Sequence, residues 1–387
     1  MIQLRGMTWN HPRGYGPLLL LSELFKEQHP SVEITWDCRS LKDFGDYPVN
    51  ILAQKYDIIM IDHPHVGICS SQGVLVPLDE WVDRDFLDDQ SKNSTGPSHF
   101  SYQWDGKQRA FAVDAAAQVA AYRPDLLNTA TLPRFWDEAI GLAKSLPANQ
   151  HVGWPLCPTD AMCSFLSLCA DIGGYNFFDE TRGIPLWVGV AALEILFEML
   201  PLLHHGSLYM NPIQMYDMMA QTHEIAYIPL AFGYSNYARP GATGKIIKFG
   251  NIPTTSGIPK GSLLGGVGIA VSALSDHIPL AVEFAKYTAH SDVQRREYFS
   301  GGGQPGHAVA WRDHQVNLRS NNFFQDTIAT LENSYMRPRN QAFPEFQEQA
   351  GLLLHEMLSQ AAEGTSVQAR IVVERMNGIY RYALRCE

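Results

Sequence analysis

GSLLGGVGIAVSALSDHIPLAVEFAKYTAHSDVQRREYFSGGGQPGHAVAW, residues 261–311, sets its glycines and its apolar periods in an order that few folds share. Gly265 and Gly266 read as a turn that needs backbone freedom, and Val267 to Val271 as an apolar strand. Ser275-Asp276 then reads as a helix start, followed by an amphipathic helix through Phe284 and Tyr287. A second helix stops at Gly301-Gly302-Gly303, and Gln304-Pro305-Gly306-His307 turns the chain. The glycine pair serves backbone geometry rather than a phosphate grip, because no Lys-Ser/Thr follows it.

Working outward, the opening of the chain alternates in the same way. Ile2 to Thr8 reads as a strand, WNHPRGYGP (residues 9–17) as a loop, and Leu20, Leu21, Leu24 and Phe25 as the stripe of a helix ending before Pro30. Val32 to Trp36 is the next strand, Pro48 to Gln54 a helix, and YDIIMID an apolar strand that ends in Asp62-His63-Pro64-His65. Such alternation predicts an α/β fold with a mostly parallel sheet and helices on both faces. Ligands of such sheets bind beyond the carboxyl ends of the strands, which puts the loops Trp9 to Tyr15 and Asp62 to His65 on the binding side. Further on, Tyr102 to Lys107 reads as a hairpin, Val152 to Leu156 as a strand, Asp160 to Ala170 as a helix stopped at Gly173-Gly174, and Ala191 to His204 as another helix.

At 387 residues the chain exceeds a single core, so two lobes are expected. A net charge of -11 without clustered Lys/Arg argues against nucleic acid and against an anionic membrane surface. The apolar run Leu18 to Leu21 is far short of a membrane span and reads as part of the first core helix, not as an export signal. Either a signal was removed or the protein stays in the cytosol. The six cysteines, Cys38, Cys69, Cys157, Cys163, Cys169 and Cys386, form no CxxC and no metal-ligand spacing. They lean towards a reducing compartment or against a disulfide scaffold, with Cys163 and Cys169 buried in an apolar helix. No cofactor and no metal are expected.

The Gly-Gly strand start, the helix Ala281-Val-Glu-Phe-Ala-Lys-Tyr287 and the turn Gly303-Gln304-Pro305 resemble the late segment of the family 1 extracellular solute-binding proteins. Weaker matches run along nearly the whole chain: VLVPLDEWV (residues 74–82), AAAQVAAYRPDLL (residues 115–127), LPRFWDEAIGLAKSL (residues 132–146), Glu224 to Ala238, and Arg337 to Phe346. In the segment Glu224 to Ala238 the usual Trp is missing and Phe232-Gly233-Tyr234 stands there. The resemblance implies a two-lobed clamp of the type II periplasmic-binding-protein kind, each lobe a mostly parallel sheet flanked by helices and joined by hinge crossings. The expected lobes are residues 1–112 plus 246–306, and 113–245 plus 307–387. It also implies a monomer that binds a small polar ligand, a sugar or sugar acid, for an ABC permease, in the periplasm or outside the cell if exported.

A cleft for such a ligand needs aromatic faces and oriented polar groups, since each unpaired polar group left on closing costs about 1 to 3 kcal/mol. Trp9, Asn10, His11 and Arg13 follow the first strand, and Asp62 and His63 the third. Thr159, Asp160, Phe232 and Tyr234 come from the second lobe, and Asp114, Gln118, Gln304, His307, Arg339 and Phe346 from the crossings and the segment after them. Each has a plainer reading: Trp9 as a cap on the core, Thr159 and Asp160 as a helix N-cap, Phe346 as half wall and half core. His11 with Asp62, His63 and His65 lacks the spacing to complete a tetrahedral metal set. The same group has acid/base chemistry near pH 7 open to it, so a cytosolic enzyme using His11, Asp62 and His63 is the alternative, and a cytosolic sensor a third reading. Arg13 and Arg339 pose a charge question: facing a ligand they imply an acidic one, facing elsewhere a neutral saccharide.

Overall fold

The computed structural model describes residues 1–40, 49–127 and 132–385. Its strands are β1 (Ile2–Trp9), β2 (Val32–Arg39), β3 (Ile58–Ile61), β4 (Gln103–Trp104), β5 (Lys107–Gln108), β6 (Phe111–Tyr122), β7 (His151–Val152), β8 (Ile225–Phe232), β9 (Lys248–Gly250) and β10 (Leu264–Val271). The helices used below are α1 (Pro12–Gln28), α2 (Trp136–Ser145), α3 (Pro158–Gly173), α4 (Leu186–Met199), α5 (Ile278–Ala289), α6 (Ala342–Ala362) and α7 (Ala369–Ala383).

The chain forms two compact units, residues 1–116 with 265–318, and residues 117–264 with 319–387. It passes between them within β6, at the head of β10 and after Leu318.

In the first unit the strand order is β2-β1-β3-β10-β6. β1 runs parallel to β2 and to β3, while β10 returns antiparallel to β3. The expected mostly parallel sheet is therefore a mixed one, because β10 enters from the far end of the chain. All four residues of β3 are buried, as a strand covered on both faces requires. Leu18, Leu21 and Phe25 of α1 pack with Phe284 and Ala281 of α5 over one face, while Leu20 is partly exposed. In the second unit β6 pairs with β8 and β9, both antiparallel, and β7 lies parallel to β8. Its core is mainly helical: α3, α4, α6 and α7 enclose Phe165, Leu196, Leu354 and Met376.

Several sequence expectations shift. The stretch after Trp9 is not a loop to Pro17, because Pro12 stands at the first helical position and α1 begins there. Gly265 and Gly266 lie inside β10 rather than in a turn before it. α5 begins after His277, while the Ser275 hydroxyl reaches Asp57. The helix after α5 widens into a π turn at Gln294–Tyr298 before it stops at Gly301. The strand expected over Val152 to Leu156 pairs only at His151–Val152, and the helix expected over Ala191 to His204 begins earlier, at Leu186. The short helix expected from Pro48 covers Val49–Ala53, with Pro48 itself outside the described residues, as is Cys386.

Histidines cap helices repeatedly. The Nδ1 atoms of His11, His204, His290 and His307 each accept a backbone N–H at the start of a helix, from Arg13, Gly206, Asp292 and Val309. An imidazolium has no such lone pair, so these caps need the neutral ring. Burial, then the nearby Arg13, brings the His11 ring down to about 4. Burial also lowers His204 and His307.

Gly266 has φ +96, and a Cβ there would strike the Asp114 carbonyl oxygen of the adjacent strand. Gly174 has φ +84 with open space around it. Gly266→Ala is expected to lower unfolding free energy by more than about 2 kcal/mol, and Gly174→Ala by only about 1 kcal/mol, in urea titrations. For His11, the lowered folded pKa means stability is complete above the unfolded value near 6.5 and is lost as pH falls towards about 4. His11→Asn, a cap that does not titrate, should therefore gain on the parent by roughly 2 to 6 °C in Tm between pH 7 and pH 4.5.

Candidate functional site

In the first unit the sequence candidates lie at the end of β1, just after β3, within β6 at Asp114, and at Gln304 and His307. Trp9 is the last residue of β1, 3% exposed, and its indole lies against Gly14, where a Cβ would come within 2.5 Å of the ring. Asn10 is exposed, with its N–H on the Arg39 carbonyl. His11 caps α1 through the Arg13 N–H at 3.1 Å.

Arg13 turns inward. Its Nε donates to Asp114 Oδ2 at 2.8 Å and its Nη2 to Oδ1 at 2.5 Å, a two-pronged pair with side chains 5% and 0% exposed. Burial pushes the Asp114 carboxyl up and the Arg13 guanidinium opposes this. Gln304 braces the same strand: its amide donates to the Ala115 carbonyl and its carbonyl accepts the Ala115 N–H. His307 is buried, capping a short helix and meeting Asp89 at 3.2 Å. Thus Arg13, Asp114, Gln304 and His307 have structural partners inside the unit.

After β3, Asp62 caps the short 3-10 helix His63–His65 by accepting the His63 N–H at 2.8 Å. Its carboxylate also lies 3.3 Å from His63 Nδ1 and keeps partial exposure. His63 is fully buried, edge-on to Tyr102, so its ring is part of the core wall. Among the described residues no group of three or more His, Cys, Asp or Glu is placed to hold a metal ion.

In the second unit Gln118 continues β6 and anchors a buried network. It donates to Ser164 Oγ, accepts from Ser167 Oγ at 2.6 Å, and its carbonyl accepts the Ser262 hydroxyl. Trp154 Nε1 donates to the same Ser164, and the Leu263 N–H to Ser167. Thr159 is exposed in the first turn of α3. Asp160 is not the cap; Cys157 occupies that position, and its thiol donates to Asp160 at 3.0 Å. Burial raises the Asp160 carboxyl to about 7.

Phe232 ends β8 half-buried, and Tyr234 is buried near Tyr216. Phe346 is fully buried among Phe178, Phe343 and Tyr380, which makes it core rather than wall. Arg339 is half-buried, lowered by that burial and held up by nearby Tyr175 and Glu180. Tyr175 was not singled out from sequence. It is 51% exposed and rests edge-on against buried Tyr335, and its position directly after the Gly173-Gly174 stop was the available signal.

Chemically these groups offer hydrogen bonds and ring faces more readily than proton transfer. The His11 Nδ1 lone pair is engaged by backbone, and His63 is sealed in the core. The accessible members are Asn10, Asp62, Thr159, Phe232 and Arg339, with His11 partly so.

Comparison with known proteins gives the same architecture. Maltose-bound MalE3 of T. maritima has a TM-score of 0.83 at 16% identity, covering 99% of this chain and 100% of that one. A solute-binding protein of Agrobacterium radiobacter in complex with ribitol has a TM-score of 0.79 at 20% identity, covering 98% of each chain. One of Agrobacterium vitis with bound D-mannitol has a TM-score of 0.79 at 14% identity, covering 100% of this chain and 99% of that one. The family model described as bacterial extracellular solute-binding protein matches residues 9–295. On that match the chain belongs to the family of bacterial extracellular solute-binding proteins.

Proposed function

We propose that this protein captures a small polyhydroxylated solute, a sugar or a sugar alcohol, outside the cytoplasm and delivers it to an ABC permease. The observation that carries the reading is the family match over residues 9–295. Relatives of the same fold in solved structures hold maltose, ribitol, tagatose and mannitol. The family's extracellular description supports the place of action, and neighbours described as ABC transporter solute-binding proteins support the permease partner.

Of the candidate residues, Asn10, His11, Asp62, Thr159, Phe232 and Arg339 carry accessible surface and are assigned to ligand contact; Tyr175 joins them as an exposed ring. Trp9, Arg13, His63, Asp114, Gln118, Gln304, His307 and Phe346 are assigned to holding those groups in place. Asp160 and Tyr234, almost closed off from solvent, stand behind Thr159 and Phe232. The mechanism is a shift of conformer populations: a solute that binds one arrangement of the chain better than another enriches it by that difference in affinity. The three chain passages between the units are the places where backbone dihedrals can absorb such a change.

A thermal-shift screen of mono- and disaccharides and alditols, with amino acids as controls, tests the reading. A true ligand at a hundredfold excess over its Kd adds about 2.7 kcal/mol of stability. At least one sugar or alditol should raise Tm by several degrees, and titration calorimetry should return one site per chain. Stabilisation by amino acids alone, with every sugar and alditol inert, would discard the proposal.

A further inference from the structure

In the second unit a groove of about 650 Å³ runs between α6 and α7, and none of the residues assigned to ligand contact lines it. The two helices are antiparallel: Arg375 Nη1 lies 3.8 Å from Met357 Sδ, while the Tyr380 ring meets Phe346, eleven residues earlier on α6. One stripe of α6, with Leu352 and Glu356, faces one stripe of α7, with Arg375, Gly378 and Tyr382. Leu352 is 50% exposed and Tyr382 66%, large apolar groups standing in water at the groove's edges. Gly378 makes a notch in its floor. Glycine weakens a helix interior relative to alanine, yet a Cβ at Gly378 would meet nothing within 4 Å. By contrast, a Cβ at Gly189 of α4 would strike Val373, and one at Gly351 of α6 the Pro158 carbonyl, so packing within the chain accounts for those glycines. The charges are sorted by helix. α6 carries Glu345, Glu348 and Glu356 and no Lys or Arg, whereas α7 carries Arg370, Arg375 and Arg381, with its one acid, Glu374, paired to Arg370 at 2.9 Å. Within the chain Arg375 meets the Met357 thioether and Glu356 the Gln360 amide, not each other.

We infer that this face binds a second copy of the chain, in an isologous pair whose two-fold axis runs along the α6–α7 hairpin. Such an axis keeps each level along the hairpin and exchanges the two helices, so that the acidic α6 of the second copy lies over the basic α7. Arg375 is level with Met357, which brings Glu356 of the second copy onto Arg375. Three or four residues further in the same direction, Leu352 of the second copy comes down at the Gly378 notch. Knob, hole and both signs of charge answer themselves across one axis, on a chain whose net charge of -11 gives its other surfaces an acidic excess. The 21 residues of α6 span about 31 Å and two adjacent helices about 20 Å, so each copy offers roughly 600 Å². The total stands at the lower bound of specific interfaces, about 1,200 Å², and predicts a reversible dimer with a Kd of about 10 to 100 µM. Dilute protein then runs as the monomer that the resemblance implies.

Sedimentation equilibrium of the full chain from about 1 to about 500 µM tests this, with no solute needed. The parent should pass from one chain mass to twice that mass across the range. Gly378→Gln fills the notch with a neutral helix former and should weaken pairing at least about 10-fold, while Tm measured at about 1 µM stays equal or rises. Arg375→Glu and Glu356→Arg should each weaken it at least about 10-fold alone, because like charges then face across the axis. An equimolar mixture of those two variants should pair about as well as the parent, since the heterodimer restores both ion pairs. Single chains at every concentration of the parent would leave the groove to some other molecule and overturn the inference. A dimer that none of the three substitutions weakens would place the contact elsewhere and overturn it equally. Either result leaves the solute-binding reading untouched.

Discussion

A carboxylate in the middle of a strand whose twelve residues are all buried has to be met by a cation within hydrogen-bond reach. Asp114 is that carboxylate and Arg13, from 101 residues earlier in the chain, is the cation. Losing one partner of such a buried pair costs about 3 to 5 kcal/mol, far more than an exposed pair contributes. The pair sets where the start of α1 sits relative to β6, and therefore where Asn10 and His11 emerge. β6 is approached just as closely on its backbone: Gly266 of β10 fits against the Asp114 carbonyl and Gly306 against that of Ala112. Neither contact leaves room for a Cβ, which explains why this crowded strand is flanked by glycine on both sides.

The second unit solves a similar problem without charge. Gln118, on the same strand, is satisfied by Ser164 and Ser167, and the indole N–H of Trp154 and the backbone of Leu263 close the network. Neutral partners suit a helical core in which full ionisation would be costly, and the buried Asp160 carboxyl follows the same logic by sitting near 7. The imidazole caps belong to this pattern too. At His11, His204 and His307 burial favours the uncharged ring, whose Nδ1 accepts a backbone N–H at the helix start.

Much of the fold was legible in residues 261–311, because a long amphipathic period and a triple glycine are local signals. β3 and the hairpin of β4 and β5 stand where their patterns placed them, and α5 carries its expected stripe through Phe284 although it starts later than expected. The start of α1 was misread because histidine rarely advertises itself as a cap, whereas Pro12 at the first helical position was a signal available in the sequence. Gly265 and Gly266 looked like a turn because a positive φ within a strand leaves no mark except the glycine itself. Within the candidate site, residue types were legible but commitments were not. Arg13 and Asp114 each looked available for a ligand, and only tertiary packing reveals that they are spent on each other.

In the first unit's sheet β10 lies between β3 and β6, although it is made some 140 residues after β6 ends. A ribosome that has released β6 has therefore not yet released the strand that lets β6 join β3. The second unit's opening segment, residues 117–264, leaves the exit tunnel before the first unit has its full complement of strands. Arg13 must wait through that interval for the strand carrying Asp114 to dock, which makes the early chain dependent on late arrivals and slow to commit during synthesis.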